Sequence, residues 1–156
     1  MLLIISGGQS GVDRAALDAA LALGVGCGGW CPQGRRAEDG VIADRYPLKE
    51  LPGADYLQRT ERNVIDSDAT LIIHFATLSG GTARTLEFCR LHARPHLLID
   101  GERLAPTAAG EQVLAFIRAH DVERLNVAGP RASGDARAYP YARQLVGELL
   151  LLSLRR

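Results

Sequence analysis

The 156-residue chain has few aromatic residues, 5% of the total, with a single tryptophan. They do not interleave with Lys or Arg, so a base-stacking surface for nucleic acid is not expected. Eighteen Lys and Arg balance eighteen Asp and Glu. No global field therefore draws the chain to nucleic acid or to an anionic membrane. Its three cysteines are an odd number and supply no disulfide framework. Cys27 and Cys31 stand in C-x-x-x-C spacing and offer two soft ligands, but no histidine has the spacing that completes a tetrahedral site. All three read as structural, and no metal site is expected. Long apolar runs are missing too. Leu2–Ile5 is too short for a signal peptide and has no cationic flank, and Leu145–Leu154 is about half a bilayer span. A soluble, cytoplasmic chain is expected. With 47% hydrophobic residues it can fill one core, which makes residues 1–156 one domain.

What is present begins at the first strand candidate. Leu2–Ile5 runs into Ser6-Gly7-Gly8-Gln9-Ser10-Gly11, and a helical pattern opens at Val12. Glycines let the backbone turn sharply, and the free N–H groups and dipole of the next helix favour an anion. The G-G-x-x-G spacing matches neither the dinucleotide fingerprint nor a P-loop. A plain strand-to-helix turn is the alternative.

Apolar runs and helical patterns then alternate to the end. Helix Val12–Leu23, stopped by Gly24, precedes a weak strand at Val25–Gly28 and a long loop, Trp30–Ala54. Asp55 can cap a helix to about Asp66. Ala69–Phe75 is the clearest strand. A Ser79-Gly80-Gly81-Thr82 turn, a helix to His92, strand His96–Ile99, helix Ala108–His120, strand Arg124–Ala128 and helix Ala138–Leu154 follow. This alternation predicts a three-layer, Rossmann-like α/β fold with a mostly parallel sheet of about five strands. In such a sheet the loops Ser6–Gly11, Trp30–Arg36, Leu78–Thr82 and Gly129–Ser133 share the C-terminal edge, where ligands bind.

These loops hold the candidate site. Gly7, Gly8, Gln9, Ser10 and Gly11, with Ser79, Gly80, Gly81 and Thr82, would present backbone N–H groups and hydroxyls to phosphate, or Ser79 and Thr82 would serve only as helix caps. Arg35 or Arg36 would close over the phosphate as a planar fork, or join Glu38 and Asp39 in a surface ion-pair cluster. Arg14 could pair with the phosphate or with Asp13. Asp13 would repel phosphate and suits a sugar hydroxyl, a ring N–H or a metal ion. Trp30 would stack on a heterocycle or fill the core. Gly129 and Arg131 lie in the last of the four loops. Glu87 and Asp13 are the candidates for acid–base work. Arg59, Asn63 and Asp66 share roughly helical spacing, and His74 ends the central strand as a core histidine.

Three segments together resemble the bacterial putative molybdenum carrier proteins, a circularly permuted branch of the SLOG superfamily. They are Ser6-Gly7-Gly8-Gln9-Ser10-Gly11-Val12-Asp13-Arg14, Gly29-Trp30-Cys31-Pro32-Gln33-Gly34-Arg35-Arg36-Ala37-Glu38-Asp39-Gly40 and Leu125-Asn126-Val127-Ala128-Gly129-Pro130-Arg131. Arg59-Thr60, Asn63-Val64 and Asp66-Ser67-Asp68 also fit. The resemblance implies a Rossmann-like fold and a small phosphorylated ligand, either a nucleotide or molybdenum cofactor, a pterin with a dithiolene and a phosphate. Related phosphoribohydrolases carry Pro-Gly-Gly-x-Gly-Thr-x-x-Glu. Here Ser79-Gly80-Gly81-Thr82-Ala83-Arg84-Thr85-Leu86-Glu87 lacks the proline and the third glycine, so a binding protein is favoured over a nucleotide hydrolase.

The last helix sets an expectation for assembly. Leucines and Val146 surround most of its circumference between Leu145 and Leu154, which implies burial on more than one side. A homo-oligomer, as a twofold dimer or a dimer of dimers, would bury it. The alternative is cover by Ala108–His120 in the same chain.

Overall fold

A computed structural model describes residues 1–155. In chain order its elements are β1 (Leu3–Ile5), α1 (Val12–Ala22), β2 (Cys27–Gly28), β3 (Trp30–Pro32), β4 (Arg36–Ala37), β5 (Gly40–Val41), β6 (Lys49–Leu51), α2 (Tyr56–Ile65), β7 (Ala69–His74), α3 (Gly80–Leu91), β8 (His96–Asp100), α4 (Pro106–Ala119), β9 (Arg124–Ala128) and α5 (Ala138–Leu154). The main sheet has the order β2-β1-β9-β7-β8, with every pair parallel. This is the predicted three-layer Rossmann-like architecture.

Handedness explains how the helices divide between the two faces. The chain moves from β1 outward to β2 and from β8 back across β7 to β9, both in the same direction along the sheet. It moves from β7 to β8 in the opposite direction. Right-handed crossovers then put α1 and α4 on one face and α3 on the other. Residues of α1, α4 and α5 join Ile4, Leu71, Ile73, Leu125 and Val127 in the main core. The opposite face is thinner, with Val64, Ile72, Leu86 and Cys89 clustered beneath α2 and α3. Strand order reverses where β1 and β7 send their chains apart, and β9 lies between them.

Local chemistry starts α2 where the sequence does. The Asp55 carboxylate accepts the N–H groups of Leu57 and Gln58, both at 3.0 Å, and Gln58 Oε1 accepts the Asp55 N–H at 2.9 Å. This reciprocal box satisfies orphan donors and is worth about 1 kcal/mol.

Two expectations are corrected. The segment 30–54, read as loop, contains a parallel β3–β6 pair and an antiparallel β4–β5 pair. It closes over a small core of Leu17, Cys31, Ile42, Tyr46 and Leu48. In addition, α5 needs no second molecule to cover it. It packs between α1 and α4, which bury Leu145, Val146, Leu149 and Leu150 completely. Of its leucines only Leu151 and Leu154 stay exposed, at 44% and 54%, so the apolar stretch from Leu145 to Leu150 is covered within the chain. Among the described residues no helix is long and apolar enough to cross a membrane.

Candidate functional site

A cavity of ≈ 480 Å³ opens at the C-terminal edge of the sheet, where the strand order reverses. Gly7, Gln9 and Asp13 line it from the turn after β1. Tyr56, Arg59, Thr60 and Asn63 come from α2, and Ser79–Thr82 with Thr85 from the start of α3. Asn126 through Arg131, then Ser133–Asp135, complete the wall from β9 and its loop. Its size suits a mononucleotide-sized ligand.

The two glycine turns differ in what they leave free. In the first, Gly8 N–H donates to Ser6 Oγ at 3.2 Å, Gln9 N–H to Asp13 Oδ2 at 3.3 Å, and Val12 N–H to the Pro130 carbonyl at 3.2 Å. A side-chain carboxylate from the chain itself thus takes a donor that a phosphate would need. The second turn is open. Ser79 caps α3 without a side-chain hydrogen bond, and a Cβ built on Gly80 or Gly81 meets nothing within 4 Å. The first-turn N–H groups of α3, which have no helical acceptor, remain available together with the positive end of its dipole.

Asp13 and Arg59 form a buried pair in the wall. Arg59 Nη1 lies 3.5 Å from Asp13 Oδ2, with side-chain exposures of 11% and 8%. Burial pushes the Asp13 carboxyl above its usual range, against the pull of Arg59, the Gln9 N–H, Arg131 and Arg14. Burial likewise pushes the Arg59 guanidinium down, with Asp13 opposing. Desolvation dominates for both groups because a charge loses more on leaving water than a 3.5 Å partner returns. Arg131 stacks over the Tyr56 ring at 4.6 Å and completes a second cationic wall.

The raised Asp13 value sets a pH dependence. A folded-state pKa above the unfolded one stabilises the fold below the unfolded value, and this gain is lost as pH rises through the folded value. Asp39, Asp66 and Asp135 are held below their usual range and give the opposite slope, but wild type and Asp13→Asn share them. The melting temperature of wild type minus that of Asp13→Asn should therefore fall as pH rises above about 4. A difference that is flat or rising with pH contradicts the burial of this carboxyl.

Of the sequence candidates, Gly7, Gln9, Asp13, Ser79, Gly80, Gly81, Thr82, Gly129 and Arg131 meet at the cavity. The others are engaged elsewhere. Gly8 backs onto Leu48 and Ile42, and Gly11 onto the Pro130–Ala132 backbone. The Ser10 hydroxyl donates to Glu38. Arg14 makes a fork to both oxygens of Asp39 at 2.8 and 3.1 Å. The Trp30 indole N–H donates to Asp66 at 2.8 Å beneath Arg62, rather than facing the cavity. Arg35 clamps its own loop, donating to the carbonyls of Ile42, Leu48, Ala43 and Tyr46 at 2.8–3.1 Å. Arg36 Nε donates to the Gln33 carbonyl and lies at a separate shallow pocket. Glu87 is 64% exposed beside Arg84, outside the cavity, which removes it as an acid or base there. Tyr56, Arg59, Thr85 and Asn126 line the cavity without a site role having been read from the sequence. For Asn126 the signal was a lone amide inside an apolar strand. For Arg59, the clue was an arginine sharing a helix face with Asn63.

A five-stranded parallel sheet covered on both faces, with glycine turns and a cavity at its strand-order reversal, defines a Rossmann-like α/β protein. Residues 4–150 match the model of the circularly permutated YpsA SLOG family, and the chain belongs to that family. A crystal structure described as a putative molybdenum carrier protein from Syntrophus aciditrophicus SB is similar at 43% identity and a TM-score of 0.93. The match covers 96% of this chain and 95% of that one. No curated protein matches.

Proposed function

We propose that the chain binds a phosphorylated heterocycle, a nucleotide or a pterin of the molybdenum-cofactor type, and carries it without turnover. One observation supports this most: the first turn of α3 is uncapped and open to a cavity that two arginines also line. The phosphate sits at Gly80, Gly81 and Thr82, where backbone donors and the helix dipole act together. Arg131, held over the face of Tyr56, approaches it as a planar fork. The resemblance to a putative molybdenum carrier protein is what brings in the pterin. Cys27, Cys31 and Cys89 stand apart from the cavity. Among the described residues no three His, Cys, Asp or Glu cluster as metal ligands. The lining of amides, hydroxyls and guanidinium groups fits the organic part of such a cargo and its phosphate, so a metal would travel on its pterin.

Calorimetric titration with nucleoside and pterin monophosphates tests this. Arg131→Ala should weaken binding by about 10- to 100-fold, the worth of a charge-assisted contact, with the fold intact. Binding unchanged in this variant, or crystallographic density at the opposite edge of the sheet, would refute the assignment. Chromatography of the titrated nucleotide should show no free base. Base released by wild type and not by Asp13→Asn would refute binding without turnover, since Asp13 is the acid–base candidate that lines the cavity.

A further inference from the structure

Three neighbouring residues in the cavity wall have hydrogen-bonding capacity that the chain does not use. Gln9 is 2% exposed, and its Nε2 donates to the Arg36 carbonyl at 2.9 Å. A carbonyl can only accept, so this bond fixes the amide's orientation and leaves Oε1 as the free end. Oε1 has no partner among the described residues. Asp13 Oδ2 accepts from the Gln9 N–H and Arg59, while Oδ1 accepts nothing from the described chain. Arg59 uses Nη1 for Asp13, and its buried Nε has no acceptor. Buried polar groups left without partners cost free energy. Two of them at one cavity, Gln9 Oε1 and Arg59 Nε, beside a carboxylate oxygen of Asp13 with capacity to spare, point to a ligand that supplies partners.

We infer that Gln9, Asp13 and Arg59 recognise the 2-amino-4-oxo-pyrimidine edge that guanine and pterin share. The inference rests on the phosphate end proposed above. Along that edge run an amino N–H, a ring N–H and a carbonyl oxygen, in the order donor, donor, acceptor. The wall offers the complement, with two acceptors on Gln9 and Asp13 and donors on Arg59. Adenine presents an amino group beside a bare ring nitrogen, whose lone pair would face the Asp13 carboxylate. Uracil presents acceptor, donor, acceptor and leaves one acceptor of the wall opposed. A site built to hydrogen-bond an edge rejects analogues that cannot complete it, because its buried groups then stay unpaired.

The test is calorimetry on the full chain with GMP, IMP, AMP, ribose 5-phosphate and 6-hydroxymethylpterin phosphate. GMP, the pterin phosphate or both should bind at least about tenfold more tightly than AMP, with IMP weakened by loss of its amino group. Comparing GMP with the pterin phosphate identifies which source of the shared edge fits the rest of the cavity. Asp13→Asn and, independently, Gln9→Met should bring the GMP-to-AMP ratio close to one while ribose 5-phosphate binds as before. Equal binding of AMP and GMP, with ribose 5-phosphate still bound, overturns the edge assignment and leaves the phosphate reading intact. Failure of every phosphorylated compound to bind removes both.

Discussion

Gly7→Ala should displace Arg59 and both destabilise the protein and weaken its ligand binding. A Cβ at Gly7 would lie 1.8 Å from Arg59 Nη1 and 2.5 Å from Cζ, so the guanidinium must leave. The backbone at Gly7 is not in the left-handed region, and the effect is therefore steric rather than conformational. Departure of the guanidinium leaves the Asp13 carboxylate buried without its partner. Breaking one side of a buried pair costs about 3–5 kcal/mol, and protonation of Asp13 recovers part of that. Denaturant unfolding of a double-mutant cycle checks the cause. With Arg59→Ala already in place, Gly7→Ala should cost little, because the obstructing group is gone. Costs that simply add would place the effect in the backbone turn and disprove the steric account.

Leu150→Glu should unfold the chain rather than dissociate an assembly. Leu150 is fully buried in the layer where α5 packs against α1 and α4. A carboxylate there has no cation to pair with and must either protonate or take water into the core. The cost, at least about 4 kcal/mol, is a large part of the roughly 5–15 kcal/mol that holds a domain of this size together. Far-UV circular dichroism should report loss of helix. Leu154→Glu, at a half-exposed position, should leave the spectrum unchanged and stability within about 0.5 kcal/mol. A folded, soluble Leu150→Glu protein with a smaller mass by light scattering would show that the helix meets another copy after all.

Much of the fold was legible in the residues. Apolar runs such as Ala69–Phe75 and the 3.6-residue pattern of Val12–Leu23 depend on neighbours a few positions away, so strand and helix appear where the pattern puts them. Asp55 and Gln58 form their capping box for the same reason. The small sheets within residues 30–54 were not legible. Their strands are two or three residues long, too short for any periodicity, and their pairing is set by contacts across the loop.

For the site, the sequence alone determined that glycine turns follow parallel strands and so gather at one edge, because strand direction and crossover handedness leave little choice. Tertiary structure decided which of those turns stays open to a ligand. Asp13 folds back onto the Gln9 N–H and engages the first turn, while Ser79 leaves the second uncapped. It also decided which arginines line the cavity. Arg35, adjacent to the glycine-rich motif, clamps its own loop, whereas Arg59 reaches Asp13 across 46 residues of sequence. Hydrophobic periodicity is a local property of the chain. The fate of a hydrogen-bond donor or a charge depends on which partner the folded chain brings within about 3 Å, and that is settled only when the layers have packed.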